Sequence, residues 1–166
     1  MDFLIDEIKN TIQDYVIFKP KTKEELKTAV NLWCIDRDEA LNKYGHISNW
    51  NTSLITDMSE LFSEKKNFND NISKWDVSNV TSMLGMFYKA SSFNQPLDLW
   101  NVSFVTDMSG MFLEAELFNQ PINSWNVSLV IDMSYMFDKA LLFNQSLNSW
   151  DVSNVKDMSY MFHEAE

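Results

Sequence analysis

The sequence predicts an α/β fold, a right-handed solenoid of five strand-turn-helix units that share one parallel sheet behind a helical N-terminal cap. Two observations lead to this prediction: tryptophan recurs every 25 residues, and the apolar spacing changes period within each interval. The tryptophans are Trp50, Trp75, Trp100, Trp125 and Trp150. A methionine column from Met58 to Met158 and a phenylalanine column from Phe62 to Phe162 keep the same step. The register therefore does not slip by a residue over five copies.

The first part of each unit has the spacing of a short strand. In "LDLWNVSFV", Leu97, Trp100, Val102 and Val105 follow the pattern L-x-x-L-x-L-x-x of a leucine-rich repeat. In that pattern a strand points alternate side chains inward. We therefore expect a strand around Trp100 to Val102 and at the equivalent residues of the other copies.

The second part of each unit has the spacing of a helix. In "SMLGMFYKA", Met83, Met86, Phe87 and Ala90 stand at i, i+3, i+4 and i+7, which is one helix face. An Asp or Ser precedes this segment in every copy, where its oxygen can cap the first turn. These residues are Asp57, Ser82, Asp107, Asp132 and Asp157. The pattern predicts a short helix, followed by a loop through "FNQP".

A 25-residue unit of this kind cannot bury its own apolar face, so the copies must stack. In-register stacking would place the strands in one parallel sheet and the helices in a second layer, with the sheet side concave. Residues 47–166 are therefore predicted to form one continuous five-repeat domain.

Residues 1–46 are predicted to form a helical cap over the open end of the array. In "PKTKEELKTAVNLW", Thr22 is an N-cap candidate with Glu25 three residues later. "DRDEALNKYG" predicts a second short helix closed by Gly45. "MDFLIDEIKNTIQDY" predicts an amphipathic helix further upstream.

Composition excludes several classes of partner. The net charge of -11 repels nucleic acid and anionic lipid, and no apolar run approaches the roughly 20 residues that span a bilayer. The N-terminus also lacks the basic start and apolar stretch of a secretory signal. We therefore expect no nucleic-acid partner and no membrane insertion, and favour a cytoplasmic or virion-associated location over secretion.

The sequence offers no catalytic or cofactor motif. His46 and His163 lie at opposite ends of the array, and there is no phosphate-binding glycine loop, cysteine pair or metal-spaced histidine cluster. We expect no enzyme activity, no cofactor and no metal.

The unit "FNQPLxxWxVSxVTDMSxMFxxA" resembles the 25-residue repeat of the BspA-like leucine-rich-repeat surface proteins of bacteria, mycoplasmas, protists and large DNA viruses. The resemblance extends over residues 47–166, and "TKEELKTAVNLWC" through "YGHISNW" resembles the segment that often precedes such arrays. It implies a leucine-rich-repeat solenoid that serves adhesion or protein recognition, with no catalytic residues.

The outward positions of the predicted strands are the candidate partner-binding face. They form two polar columns, one of Asn and Asp and one of Ser: Asn51, Asp76, Asn101, Asn126 and Asp151, and Ser53, Ser78, Ser103, Ser128 and Ser153. The alternative is a structural role, in which these side chains bond turn and edge backbone groups. The asparagines of "FN" are expected to bond loop backbone from copy to copy.

Three functions follow as hypotheses. The leading one is a non-catalytic protein-recognition or assembly module. A carbohydrate-binding or host-surface adhesin would need exposed aromatic rings, whereas the tryptophans share the inward parity of the strand and are expected to be core. The third is a structural component of a larger shell or virion.

The last copy ends without a further unit to cover it. Its apolar residues are a candidate C-terminal association face: Val152, Val155, Met158, Met161 and Phe162. The cover could be a second copy of this chain in a two-fold dimer, another subunit, or further repeats. The alternative is that the terminal helix frays.

Overall fold

The computed structural model describes residues 17–165. Two helices precede the array, α1 (Lys23–Ile35) and α2 (Arg37–Tyr44), and a 3₁₀ turn follows at Ile47–Asn49. Both helices confirm the sequence prediction. The Thr22 side chain accepts a hydrogen bond from the Glu25 N–H at 3.2 Å, and Gly45 closes α2 with a φ of 68°. The helix expected within residues 1–15 lies outside the described residues.

The predicted α/β fold class is wrong. In residues 17–165 the five copies contain no β-strand and no α-helix, so neither the strand at Trp100 to Val102 nor the helix at Met83 to Ala90 is formed. Each copy is a series of turns. Neighbouring copies are joined by isolated parallel bridges, Asp57 to Ser82, Ser82 to Asp107, Asp107 to Asp132, and Asp132 to Asp157. The array is therefore a stack of turns and not an α/β solenoid with a parallel sheet.

We number the copies one to five: residues 47–71, 72–96, 97–121, 122–146 and 147–166. The turn segment of each copy is 57–65 in copy one, and 82–90, 107–115, 132–140 and 157–165 in the others.

Backbone hydrogen bonding explains why the turn segment is not a helix. The N–H groups of Leu61, Ser63 and Lys65 donate within copy one, each to the carbonyl three residues earlier. Those of Glu60 and Phe62 donate instead to the next copy, at 2.8 Å. An α-helix would use every N–H internally, whereas here alternate groups join the copies.

A repeated left-handed backbone conformation accompanies this alternation. Two positions of the turn segment have positive φ in every copy, for example 57° at Glu60 and 63° at Glu64. Glycine, which takes this conformation without steric cost, occupies the first position in copies two and three as Gly85 and Gly110. A residue with positive φ ends a right-handed helix after one turn. Successive turns, and not a helix, therefore give the apolar side chains their i, i+3, i+4 spacing.

The aromatic columns form the core of the stack. Rings of the column that runs from Phe62 to Phe162 lie 5.4–5.6 Å from their neighbours and are nearly parallel. The four tryptophans from Trp50 to Trp125 are at most 4% exposed. Each indole from Trp75 onward donates from Nε1 to a carbonyl oxygen 28 residues earlier, as Trp125 does to Leu97 at 2.9 Å. The prediction that the tryptophans are core is confirmed for these four.

The helices pack on copy one. Leu26 and Trp33 of α1 belong to the same buried cluster as the copies, and the Trp33 Nε1–H donates to Asp70 at 2.9 Å. Lys23 Nζ contacts Asp57 at 2.9 Å and also the Ser59 hydroxyl. The boundary between a cap at 1–46 and an array at 47–166 stays a prediction. No helix among the described residues is long and apolar enough to cross a membrane.

Candidate functional site

The Asn/Asp and Ser columns, which we call the Asx face, are brought together pair by pair. In every copy the side-chain Oδ1 of the Asn or Asp accepts the backbone N–H of the Ser two residues later, at 3.0–3.2 Å. The pairs are Asn51 with Ser53, Asp76 with Ser78, Asn101 with Ser103, Asn126 with Ser128, and Asp151 with Ser153. Each pair is an Asx turn, which is the structural role that the sequence left open.

The Asx turns occupy only one side-chain oxygen of each Asn or Asp. Asp76, Asn101, Asn126 and Asp151 are exposed, and Asn51 is partly exposed. Their second polar atom therefore remains available to a partner. Because its own turn holds the side chain in one orientation, little rotamer entropy is lost on binding.

The two acidic members of the Asx face are held in the ionised form. The Ser78 hydroxyl and the Ser78 N–H both donate to Asp76, at 2.6 and 3.0 Å, and they lower the pKa of that carboxyl. The Ser153 hydroxyl and N–H lower the pKa of Asp151 in the same way. Hydrogen bonds of this kind favour the carboxylate, so both groups are anionic at neutral pH.

Two clefts open on the Asx face. The larger has a volume of about 890 Å³ and lies where the end of α2 meets copies one and two, beside the 3₁₀ turn of copy one. Its lining includes Asn51 and Asp76 from the Asx face and Tyr44, His46 and Lys74 from the surroundings. Sequence reasoning missed the last three. Nothing in the repeat pattern links Tyr44 and His46 to the array, and Lys74 stands at a position where the other copies have Asn, Leu or Ser.

The second cleft lies between copies four and five and has a volume of about 470 Å³. Asn126 and Asp151 of the Asx face line it, together with Asn123, Ser124 and Ser149. Asn123 Nδ2 donates to the Ser149 hydroxyl at 3.0 Å, so this wall is also polar and built between copies.

Two further polar columns are structural. The "FN" asparagines bond from copy to copy as predicted: the Asn69, Asn94 and Asn119 side chains accept the N–H of the next asparagine in the column at 2.9–3.0 Å. The residues predicted as helix N-caps instead lie at the parallel bridges, and Asp107 Oδ1 accepts the Ser109 N–H at 2.9 Å. The four Asp members of this column hold a second series of Asx turns, and Ser82 takes their place in copy two.

The candidate C-terminal association face is partly exposed. Val152, Met158 and Phe162 are 38%, 41% and 50% exposed, whereas their counterparts in copy four are at most 1% exposed. Val155 is half-buried and Met161 is buried. The structure thus brings the five residues to one end of the stack, with three of them open to solvent.

The two histidines have separate partners in the described part of the chain. His46 Nδ1 lies 2.8 Å from the Ser48 hydroxyl, and His163 Nδ1 lies 3.0 Å from Asp138. Within residues 17–165, no group of three or more His, Cys, Asp or Glu side chains could hold a metal ion.

A family model matches most of the chain. The family is described as "Mycoplasma protein of unknown function, DUF285", and it matches residues 34–128 and 96–166. No match to a curated protein or to a solved structure was found.

Proposed function

The chain belongs to the DUF285 family, and we propose that it is a non-catalytic protein-recognition or assembly module that binds a protein partner through the Asx face. The observation that carries the proposal is that both clefts described above are lined by members of the Asx face. The resemblance to BspA-like surface repeats favours the same function.

Preorganisation supports this use of the Asx face. The polar atoms recur at a fixed step along a backbone that is hydrogen-bonded from copy to copy, so a partner meets a rigid surface and little ordering is needed on binding. The ionised Asp76 and Asp151 and the overall charge of -11 favour a partner that presents basic or amide side chains.

The repeat supplies a matched pair of variants to test the proposal. Lys74 and Ser124 occupy the same repeat position, so Ser124→Lys is compatible with the fold and places a long cationic side chain at the wall of the smaller cleft. Thr106→Lys adds the same charge at a position where copy five has Lys156, outside both clefts.

The experiment is affinity capture from the native source with wild type and both variants, followed by titration of each purified captured protein. A partner that occupies the smaller cleft of the Asx face should bind Ser124→Lys at least about tenfold more weakly and Thr106→Lys as well as wild type. If every captured protein binds the three chains equally, the smaller cleft is not part of the binding surface.

The carbohydrate-adhesin hypothesis needs exposed rings, and it depends on the few exposed aromatic residues, such as Phe104 and Tyr135. The tryptophan column does not favour it, because Trp75, Trp100 and Trp125 are 3–4% exposed. Tryptophan emission tests an adhesin that uses indole rings. Blue-shifted emission that resists iodide counts against it, whereas strong quenching that an oligosaccharide relieves supports it.

A structural role in a larger shell or virion is a second alternative. It is favoured by the partly exposed C-terminal association face. Its signature would be assembly of the purified chain with other subunits of the particle without any dependence on residues of the Asx face.

A further inference from the structure

A second pattern follows the Asx face from copy to copy. Copies two and five have Asp in the Asn/Asp column and Asn three residues later. Copies one, three and four have Asn in the column and an apolar residue three residues later. The apolar residues are Leu54, Phe104 and Leu129, which are 49%, 57% and 47% exposed. Acidic copies and apolar copies therefore follow one another along the face in a fixed order.

The asparagine that replaces the apolar residue is bonded within the stack. Asn79 Nδ2 donates to the Ser53 carbonyl, and Asn154 Nδ2 donates to the Ser128 carbonyl, each at 2.8 Å. Each of these asparagines thus joins its copy to the preceding one. An apolar residue cannot make this bond, so the two kinds of copy differ in what they present to solvent.

The apolar residues of copies three and four lie between the two acidic copies. Phe104 and Leu129 occupy the same repeat position in successive copies, and both are exposed. We call this pair the apolar centre. The two residues directly follow Ser103 and Ser128, so the apolar centre borders the Asx face. Contiguous exposed apolar side chains with polar neighbours are typical of a contact surface.

The acidic copies flank the apolar centre, with Asp76 on one side and Asp151 on the other. Both carboxylates are exposed, and neither forms an ion pair within residues 17–165. By contrast, Asp57 pairs with Lys23 at 2.9 Å. The flanking acids have no cation of their own, so a partner can provide one on each side of the apolar centre.

The spacing of the two acids matches an extended chain. Copies two and five are three steps apart, and parallel bridges between copies set a step of about 4.8 Å, which places Asp76 and Asp151 about 14 Å apart. An extended chain rises about 3.4 Å per residue, so its residues i and i+4 are separated by the same distance. Its side chains at i, i+2 and i+4 also point to one side.

The two neutral members of the column between the acids favour the same geometry. Asn101 and Asn126 each use Oδ1 in the Asx turn, and their Nδ2 groups donate no hydrogen bond within residues 17–165. The carbonyl groups of an extended chain can accept from such donors, whereas a helix uses its carbonyl groups internally. The column therefore favours an extended partner over a helical one.

We propose that the Asx face binds an extended segment of a partner protein with the pattern basic-x-apolar-x-basic. The two basic residues contact Asp76 and Asp151, and the apolar residue packs on the apolar centre. This inference rests on the proposed function, because it names the chemistry of the partner that the Asx face recognises.

Two peptides of the same composition test the pattern. The first is acetyl-Lys-Thr-Leu-Thr-Lys-amide, and the second is acetyl-Thr-Lys-Lys-Leu-Thr-amide, which has the same charge without the spacing. Titration into the ¹⁵N-labelled full chain follows the backbone amides of Ser103 and Ser128 by NMR. The spaced peptide should shift both amides and bind at least about tenfold more tightly than the second peptide. Equal binding of the two peptides, or no saturable shift at millimolar peptide, would overturn the proposal.

The repeat supplies matched variants for the same titration. Asp76→Asn keeps an Asx turn, as Asn does in three copies, and should weaken the spaced peptide about tenfold. Phe104→Asn introduces the residue of copies two and five and should have a similar effect. Asp107→Asn is the control, because it removes the same charge from an Asx turn outside the Asx face. Equal losses in Asp76→Asn and Asp107→Asn would contradict the proposal.

Two further results separate this inference from the proposed function. A captured partner that binds Ser124→Lys more weakly but binds Asp76→Asn and Phe104→Asn as well as wild type would leave the Asx face as the binding surface. It would overturn the basic-x-apolar-x-basic pattern. A helical peptide with lysines nine residues apart spans roughly the same distance, at about 1.5 Å per residue. Tighter binding of that peptide than of the spaced peptide would overturn the extended geometry.

Discussion

Replacing one phenylalanine of the central column with alanine should destabilise the array far more in the middle than at the end. Phe112 is fully buried, and its ring lies 5.5 and 5.6 Å from Phe87 and Phe137 and 3.9 Å from Phe118. Phe162 occupies the same repeat position in copy five but is 50% exposed. The two substitutions therefore remove the same atoms from different surroundings.

The expected magnitudes follow from burial. Phe112→Ala removes a fully buried ring and leaves a cavity enclosed on several sides, so the free energy of unfolding should fall by about 3–5 kcal/mol. Phe162→Ala loses roughly half of the transfer free energy of a buried phenylalanine and leaves no enclosed cavity. Its cost should be about 1 kcal/mol.

Urea unfolding followed by tryptophan emission measures both values. With a slope of about 2 kcal/mol per molar urea, the midpoint of Phe112→Ala should lie roughly 1–2 M below that of Phe162→Ala. Equal losses at the two positions, with unchanged slopes, would refute the conclusion that copy five is open and copy three is enclosed. A loss below about 1 kcal/mol at Phe112 would refute the stacked core itself.

Three further predictions use the repeat as its own control. The Asn94 side chain accepts two hydrogen bonds, so Asn94→Ala should lower the free energy of unfolding by about 1–3 kcal/mol. The Asn144 side chain accepts none within residues 17–165, so Asn144→Ala should lower it by less than about 0.5 kcal/mol. Urea unfolding midpoints compare the two variants. Asp76 has a lowered pKa in the folded state, so its stabilisation is complete above the ordinary Asp pKa of about 4 and is lost as pH falls through the folded pKa. Asp76→Asn keeps an Asx turn and should lose less stability than wild type between pH 5 and pH 2; identical losses would contradict this. Thr52 is buried at a position where the other copies have Val. Thr52→Val should therefore change the free energy of unfolding, measured by calorimetry, by less than about 1 kcal/mol. A loss above about 2 kcal/mol would show that the hydrogen bond from Thr52 to the Asp76 carbonyl is essential.

The sequence by itself determined the register of the array and the composition of its core. A 25-residue step held by Trp, Met and Phe requires equivalent side chains to meet, and the structure stacks Phe87 on Phe112 and Trp125 on Trp150. The capping signal at Thr22 and the apolar spacing of the residues after it were sufficient to predict α1, because those signals are local. The copy-to-copy role of the "FN" asparagines was also predictable, because a repeated amide can bond its own counterpart in the next copy.

The tertiary structure decided the backbone conformation of the copies. The spacing of Met83, Met86 and Phe87 is compatible with a helix, but each copy must also supply N–H donors to its neighbour, and alternate donors cannot serve both purposes. The alternation of Trp100 and Val102 suggested a strand. The Asn101 side chain instead accepts a hydrogen bond from the Ser103 N–H, and this bond closes a turn. Side-chain periodicity reports which residues face inward, whereas the partner of each backbone group depends on the neighbouring copy. The columns of the Asx face were readable from the sequence, but the hydrogen bonds that hold them in turns became visible only in the folded stack.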